Sequence, residues 1–156
     1  MLLLPPIMAY KFIDNYREKG ARKKLVIELK EKKGITDENV LAAIGKVKRH
    51  YFFDETFWAQ AYLDKAFPIG DGQTISNPYT VAYQSQLLHI KKGDKILEIG
   101  TGCGYQTCVL LEMGAEVYTI ERQEALYNRT IKVLPHIGYN AHFFWGTALK
   151  ANQNLR

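Results

Sequence analysis

Two acids and three closely spaced glycines are the residues of this chain best suited to chemistry. They are Glu98-Ile99-Gly100-Thr101-Gly102-Cys103-Gly104, with Glu121 nineteen residues beyond Gly102. Glycines let a backbone turn sharply with positive φ and come close to a ligand. An acid at that offset is suited to accepting hydrogen bonds from the two hydroxyls of a ribose. A dinucleotide fingerprint reads G-x-G-x-x-G, whereas the glycines here run G-x-G-x-G, so a nucleotide-like ligand is expected with a nicotinamide dinucleotide the least favoured, and a βαβ turn without a ligand is the alternative. A second candidate lies upstream. Phe67-Pro68-Ile69-Gly70-Asp71-Gly72-Gln73-Thr74-Ile75-Ser76-Asn77-Pro78-Tyr79 combines prolines, glycines and short polar side chains between two helical segments. A loop held next to a crevice carries function more often than core segments do. Ser76 suits either a hydroxyl donor to a ligand or an N-cap for the helix that follows.

The elements that must hold these groups follow from pattern. Lys95–Ile99 is short and aliphatic, bounded by Gly93-Asp94 and Gly100, and reads as a buried parallel strand. Tyr105–Met113 has helix length with Gly114 as its stop, Val117–Ile120 reads as a second strand ending at Glu121, and Gln123–Val133 as the next crossover helix. Pro135–Asn140 is its exit, and His142–Gly146 a third strand. Upstream, Tyr10–Lys33 reads as a helix with Phe12, Tyr16, Leu25, Ile27 and Leu29 buried. An amphipathic helix spans Asp37–Arg49 with Thr36 as its cap. Tyr79–His89 reads as a helix that buries Val81, Leu87 and Leu88. The aromatic run from Tyr51 to Phe67 is read as packing.

With 156 residues, 47% hydrophobic and 12% aromatic, the chain has enough apolar material for one globular core. The net charge of +5 comes largely from the basic run Arg17–Lys33. Glu18, Glu28 and Glu31 are interspersed there and no aromatic stacking pattern accompanies it, so the reading is a solvated helix face without a nucleic-acid partner. Cys103 and Cys108 form neither a disulfide framework nor a metal-ligand pattern. Reduced thiols, a cytoplasmic location and no metal are expected. The apolar start Met1–Ile7 is too short for a signal peptide, and no other stretch approaches a membrane span.

The run E-x-G-x-G-x-G after a strand resembles the first cofactor motif of Rossmann-like S-adenosylmethionine methyltransferases. The longer set is more specific. Ala61-Tyr62-Leu63-Asp64, the Phe67–Tyr79 stretch with its P-I-G-x-G-Q-T-I-S core, Leu97–Gln106 and Val117–Arg122 resemble the protein-L-isoaspartate O-methyltransferases over about residues 9–146. Gly34–Asp37 and Val47–Phe52 match that family as well, with Lys48 where it usually has proline. The resemblance implies an α/β, Rossmann-like methyltransferase: an N-terminal helical part plus the first strands of a mostly parallel sheet. It implies repair, in which a methyl group passes from S-adenosylmethionine to the free carboxylate of an isoaspartyl residue in a damaged protein. Glu98, Gly100, Thr101, Gly102, Gly104 and Glu121 would bind the cofactor. Ser76, the family's active-site serine, would orient the carboxylate, with Thr74, Ile75 and Tyr79 lining the substrate site. A carboxylate is already a nucleophile at pH 7, so no Ser/His/Asp relay is needed, and His50 and His89 are read as structural or exposed.

The resemblance stops at Gly146. The family continues G-D-G, with an aspartate for the adenine end of the cofactor, where this chain has Gly146-Thr147-Ala148. The tail through Leu155 can be encoded so that the neighbouring frame spells G-D-G-F-K-G-K-P-K-L. The expectation is a frameshift after Gly146 and a C-terminally truncated product, which the nucleotide sequence decides directly. The chain thus divides into an extension (1–8), a helical cap with the substrate loop (9–92), the first half of the cofactor-binding domain (93–146) and an aberrant tail (147–156). Lys95–Ile99 would then be an exposed edge open to self-association, and turnover would be weak or absent. The alternative is a non-catalytic fragment that binds cofactor or pairs strands.

Overall fold

The computed structural model describes residues 12–148. The expectations for residues 1–8 and for most of the tail lie outside the described residues. Helix α1 (Tyr16–Glu31) begins at an Asn15 cap whose side chain accepts the N–H groups of Arg17 and Glu18, later than the Tyr10 start expected. Glu18, Arg22, Leu25 and Leu29 form its buried stripe at three- and four-residue spacing. Tyr16, 94% exposed, and Ile27 fall off that stripe and face outward, which corrects their place in the expected core. Helix α2 (Glu38–Lys46) is capped by Asp37, whose carboxylate accepts from Asn39 and Val40. Thr36 is not the cap; its N–H donates to Gln86. The helix ends before Arg49, and Arg49–Phe52 forms a 3-10 turn.

The stretch expected as an irregular loop is a β-hairpin. Strands β1 (Phe67–Gly70) and β2 (Gln73–Ile75) pair antiparallel. Gly70, Asp71 and Gly72 all have positive φ, so three left-handed residues in succession close the turn. Helix α3 (Pro78–Leu87) follows. Neither Ser76 nor Asn77 caps it with a side-chain bond. Asp64 does so from a distance in sequence, accepting from Tyr79 N at 2.8 Å and from Asn77 Nδ2 at 3.1 Å. Its other oxygen lies 2.9 Å from Lys33 Nζ. Val81 is buried, but Leu87 and Leu88 are exposed rather than packed.

The main sheet holds β3 (Lys95–Ile99), β4 (Glu116–Glu121) and β5 (His142–Trp145), all parallel, in the order β3-β4-β5. Helices α4 (Tyr105–Glu112) and α5 (Glu124–His136) make the crossovers. Pro135, expected in the exit, lies inside the last turn of α5. Central β4 is buried at Val117, Thr119, Ile120 and Glu121. Strand β3 is not the fully buried strand its composition suggests. It forms the sheet edge, with Leu97 47% and Ile99 59% exposed. The exposed edge expected at Lys95–Ile99 is therefore present among the described residues. One apolar cluster runs from α1 through α2, the hairpin, α3 and α4 to β4 and α5.

A polar chain crosses the helical part. Arg22 grips Asp14 with two hydrogen bonds of 3.0 and 2.9 Å and donates to the Tyr62 hydroxyl at 3.0 Å. Tyr62 Oη lies 2.7 Å from His50 Nδ1, and His50 Nε2 lies 2.9 Å from the Ile13 carbonyl. A carbonyl only accepts, so Nε2 carries the proton and Nδ1 accepts from Tyr62. Tyr51 adds a bond to the Phe12 carbonyl at 2.6 Å. Burial, the largest influence, pushes His50 below its usual range against the pull of the Ile13 carbonyl and Asp14. Native His50 thus binds its proton at lower pH than the unfolded chain, whose imidazole titrates near 6.5. This contribution to stability is complete above pH 6.5 and is lost as pH falls from there towards the native value, by up to about 1.4 kcal/mol per pH unit. NMR titration of the native His50 imidazole reads this group alone, free of other groups that titrate across the same window; a native midpoint at or above 6.5 would contradict it.

Candidate functional site

The glycine turn sits at the carboxyl end of β3, where ligands of open α/β sheets lie. Gly100, Gly102 and Gly104 have φ of +92°, +55° and +87°. The amides of Gly100 and Thr101 both donate to the Ile120 carbonyl, at 2.8 and 3.1 Å, which ties the turn to β4. Glu121, 4% exposed, finishes the tie. Its Oε2 accepts from Gly102 N and its Oε1 from Gln123 N, both at 2.8 Å. Each oxygen retains a lone pair, so the carboxylate is still able to receive two hydroxyls.

Two clefts flank this turn. One, of about 480 Å³, is lined by Thr74, Ile75, Ser76, Gln84, the stretch from Ile96 to Cys103, Tyr105 and Gln106, with apolar residues of α3 and α4. The other, of about 470 Å³, is lined by Gln73, Thr74, Ser76, Ile99, Gly100, Gly102, Glu121, Arg122 and Gly146–Ala148 among others. Thr74, Ser76, Gly100 and Gly102 border both, so the end of the hairpin and the glycine turn form a shared wall. Ser76 and Thr74 are exposed, whereas Ile75 is buried. Tyr79 borders neither cleft; it stacks on Tyr83 with Lys33 Nζ 5.5 Å from its ring. Gly104, the N-cap of α4, packs against Leu134 and Thr130 rather than facing a cleft. No histidine lines either cleft. His50 is buried in the chain described above and His89 is exposed. Among the described residues no group of three or more His, Cys, Asp or Glu is placed to hold a metal, and no helix is long and apolar enough to cross a membrane.

Sequence reading missed the partners of Glu98. Thr107 and Thr119 hydroxyls donate to Glu98 Oε2 at 2.5 and 2.7 Å, and Thr119 Oγ1 lies 2.7 Å from Thr101 Oγ1. The signal was there: a threonine inside an aliphatic strand and another in a buried helix face, where an unpaired hydroxyl is costly. Burial, opposed by the two hydroxyls and reinforced by the charge of Glu121, pushes the Glu98 carboxyl up to about 7. Burial pushes the Cys108 thiol well above its ordinary value, so it is protonated at neutral pH. Another unforeseen contact is Arg129 Nη2, which donates to the Ile69 carbonyl at 2.8 Å and braces the hairpin against α5.

The family model for protein-L-isoaspartate(D-aspartate) O-methyltransferase matches residues 20–146. The chain belongs to this family. It is 58% identical over 130 residues to the protein-L-isoaspartate O-methyltransferase of Christiangramia forsetii, covering 83% of this chain and 61% of that protein. It is 57% identical over 133 residues to that of Cytophaga hutchinsonii, covering 85% and 60%. The chain thus spans about three-fifths of the length of these curated relatives. One solved protein-L-isoaspartate O-methyltransferase shares the fold with a TM-score of 0.69 at 23% identity, covering 81% of this chain and 41% of that one. A second, from Plasmodium falciparum and in complex with S-adenosyl-L-homocysteine, superposes with a TM-score of 0.62 at 26% identity, covering 80% and 62%. The expected α/β, Rossmann-like class of this methyltransferase family is therefore the observed one. The family match ends at Gly146, and the two tail residues described, Thr147 and Ala148, border the second cleft.

Proposed function

We propose that this chain holds the donor and the acceptor of a protein-L-isoaspartate O-methyltransferase, with S-adenosylmethionine as donor and the free carboxylate of an isoaspartyl residue in a damaged protein as acceptor. The observation that carries the reading is the shared wall: Ser76 and Thr74 border the same clefts as Gly100, Gly102 and the Glu121 side. The residues fit the donor. Gly100 has open space where a Cβ would stand, and Glu121 keeps two lone pairs for a ribose diol. When bound, the donor supplies a methyl group on a sulfonium. The chain's part is to hold, orient and keep dry. Glu121 and the turn hold the nucleoside, and Thr74 lines the acceptor side. The Ser76 hydroxyl donates a hydrogen bond that fixes an already ionised carboxylate, so no general base is required. Alignment of this kind contributes about 7–11 kcal/mol in favourable cases.

Replacing Ser76 by alanine removes one hydroxyl-to-carboxylate bond, worth about 1.5–3 kcal/mol. The expected result is a loss of about tenfold to a hundredfold in kcat/KM for an isoaspartyl peptide, with S-adenosylhomocysteine affinity unchanged; equal loss of both would contradict the role. Thr147 stands where the family has its adenine-binding aspartate. Thr147→Asp is expected to tighten S-adenosylhomocysteine binding about tenfold by calorimetry; no gain would remove that position from the site.

The overall reading is tested with purified chain, labelled S-adenosylmethionine and an isoaspartyl peptide, with equilibrium dialysis run in parallel. Binding without turnover favours the second reading, a cofactor-binding fragment whose exposed β3 edge pairs with another copy. Leu97 and Ile99 on that edge support it, and sedimentation over a range of concentrations tests it. Absence of binding would sink both readings of the crevice. A cytoplasmic site of action, the division into 9–92 and 93–146 and the lack of nucleic-acid partners belong to the same proposal, supported by the free thiols and by the glutamates interspersed in α1.

A further inference from the structure

The three threonines around Glu98 fix more than a fold. Thr119 has one hydroxyl hydrogen, and the acceptor it meets is the Glu98 carboxyl oxygen Oε2. Its 2.7 Å contact with Thr101 Oγ1 therefore has Thr101 as donor. Thr107 also donates to Oε2. The hydroxyl hydrogens of Thr119 on β4 and Thr107 on α4 converge on Glu98 Oε2, and that of Thr101 in the turn runs onto Thr119 Oγ1. Two consequences follow at the first cleft, which both Glu98 and Thr101 line. Thr101 has only lone pairs left to offer there. Glu98 Oε1 has no hydrogen-bond partner among the described residues. With Glu98 ionised, the side chains of Glu98 and Thr101 meet the cleft here as acceptors only, an environment that favours a cation over an anion.

We propose that Thr119 and Thr107 are positioning residues that hold Glu98 and Thr101 as an acceptor pair for a cationic group of the ligand, and that binding of this group displaces a proton from Glu98. The inference rests on the reading that the crevice takes an S-adenosyl donor, whose amino-acid tail carries an ammonium. The ligand-free carboxyl is pushed up to about 7 by burial, with Glu121 on β4 adding to the effect and the two hydroxyls opposing it. The other titratable group facing it is the Cys108 thiol on α4, which is neutral at these pH values. An ammonium beside Oε1 favours the ionised form, so the proton leaves as the ligand enters. Affinity then falls as pH drops below about 7, approaching tenfold per pH unit.

Calorimetry with S-adenosylhomocysteine in two buffers of different ionisation enthalpy reads the proton directly. Between pH 6 and 7 wild type is expected to release a proton on binding. The analogue 5′-methylthioadenosine, which lacks the charged tail, is expected to release none. Thr119→Val should raise Kd about tenfold and move the pH midpoint upwards, because the carboxylate loses a donor, while Thr119→Ser restores both. A merely structural threonine would lower the melting temperature without moving that midpoint. Binding of S-adenosylhomocysteine with no proton exchanged, or with equal release for both ligands, overturns the proposal. If wild type binds neither ligand, the functional reading fails. Carbon NMR of the ligand-free carboxyl then decides this inference by itself. Titration in the ordinary carboxyl range, unmoved by Thr119→Val, overturns it, and a raised midpoint that climbs further in Thr119→Val supports the clamp.

Discussion

Gly104→Ala is expected to cost about 2–5 kcal/mol of folding free energy, the largest stability effect of any glycine substitution in the chain. Two penalties coincide at this residue. Its φ of +87° is left-handed, which costs a non-glycine residue about 1–2 kcal/mol. An added Cβ would also stand 2.5 and 2.8 Å from the Leu134 methyls and 3.1 Å from Thr130 Cγ2. Leu134 is fully buried, so it has no free space to retreat into, and overpacking of this kind adds about 1–3 kcal/mol. Gly72→Ala separates the two causes. Its φ is +67° but nothing lies within 4 Å of the new Cβ, so only the backbone penalty of about 1 kcal/mol applies. Urea unfolding of the two variants beside wild type checks the difference; equal losses would show that packing of α4 on α5 is not what requires glycine at 104.

Glu121→Ala is expected to weaken S-adenosylhomocysteine binding by at least about a hundredfold. The carboxylate offers two hydroxyl acceptors, each charge-assisted bond is worth about 1.5–3 kcal/mol, and every 1.4 kcal/mol is a factor of ten. The same substitution strands the amides of Gly102 and Gln123, which both donate to this side chain, so the turn should loosen as well. Glu121→Gln keeps one acceptor but sets an amide N–H against one of those backbone donors, and it should recover only part of the affinity. Calorimetry on all three proteins, with far-ultraviolet dichroism to confirm folding, makes the comparison. Affinity within threefold of wild type in Glu121→Ala would show that the ribose lies elsewhere.

Much of this architecture was legible in the residues. The strand–turn–helix–strand order from Lys95 to Glu121 followed from aliphatic runs bounded by glycines, and local pattern suffices there because each element is short and sharply bounded. Reading failed where partners come from far away in sequence. Asp64 caps a helix fifteen residues on, so the local candidate Ser76 drew attention instead. The Phe67–Ile75 hairpin was hidden by Pro68 and by a turn whose middle residue is Asp71, a non-glycine with positive φ. Composition marked Lys95–Ile99 as interior, yet composition cannot report which side of a sheet is occupied. At the site, the acids and glycines announced themselves, whereas Thr107 and Thr119 became visible only through the hydrogen bonds that they make.

The hydrogen bonds at Phe12, Ile13 and Asp14 tie this short, partly exposed segment to the helical part of the protein. Proteolytic trimming, or an expression boundary drawn past Asp14, would deprive His50 of its carbonyl, Tyr51 of its acceptor and Arg22 of its carboxylate at one stroke. A shortened product should therefore melt earlier and as a distinct species. The intactness of the amino terminus is then a sensitive quality check on any preparation of this protein.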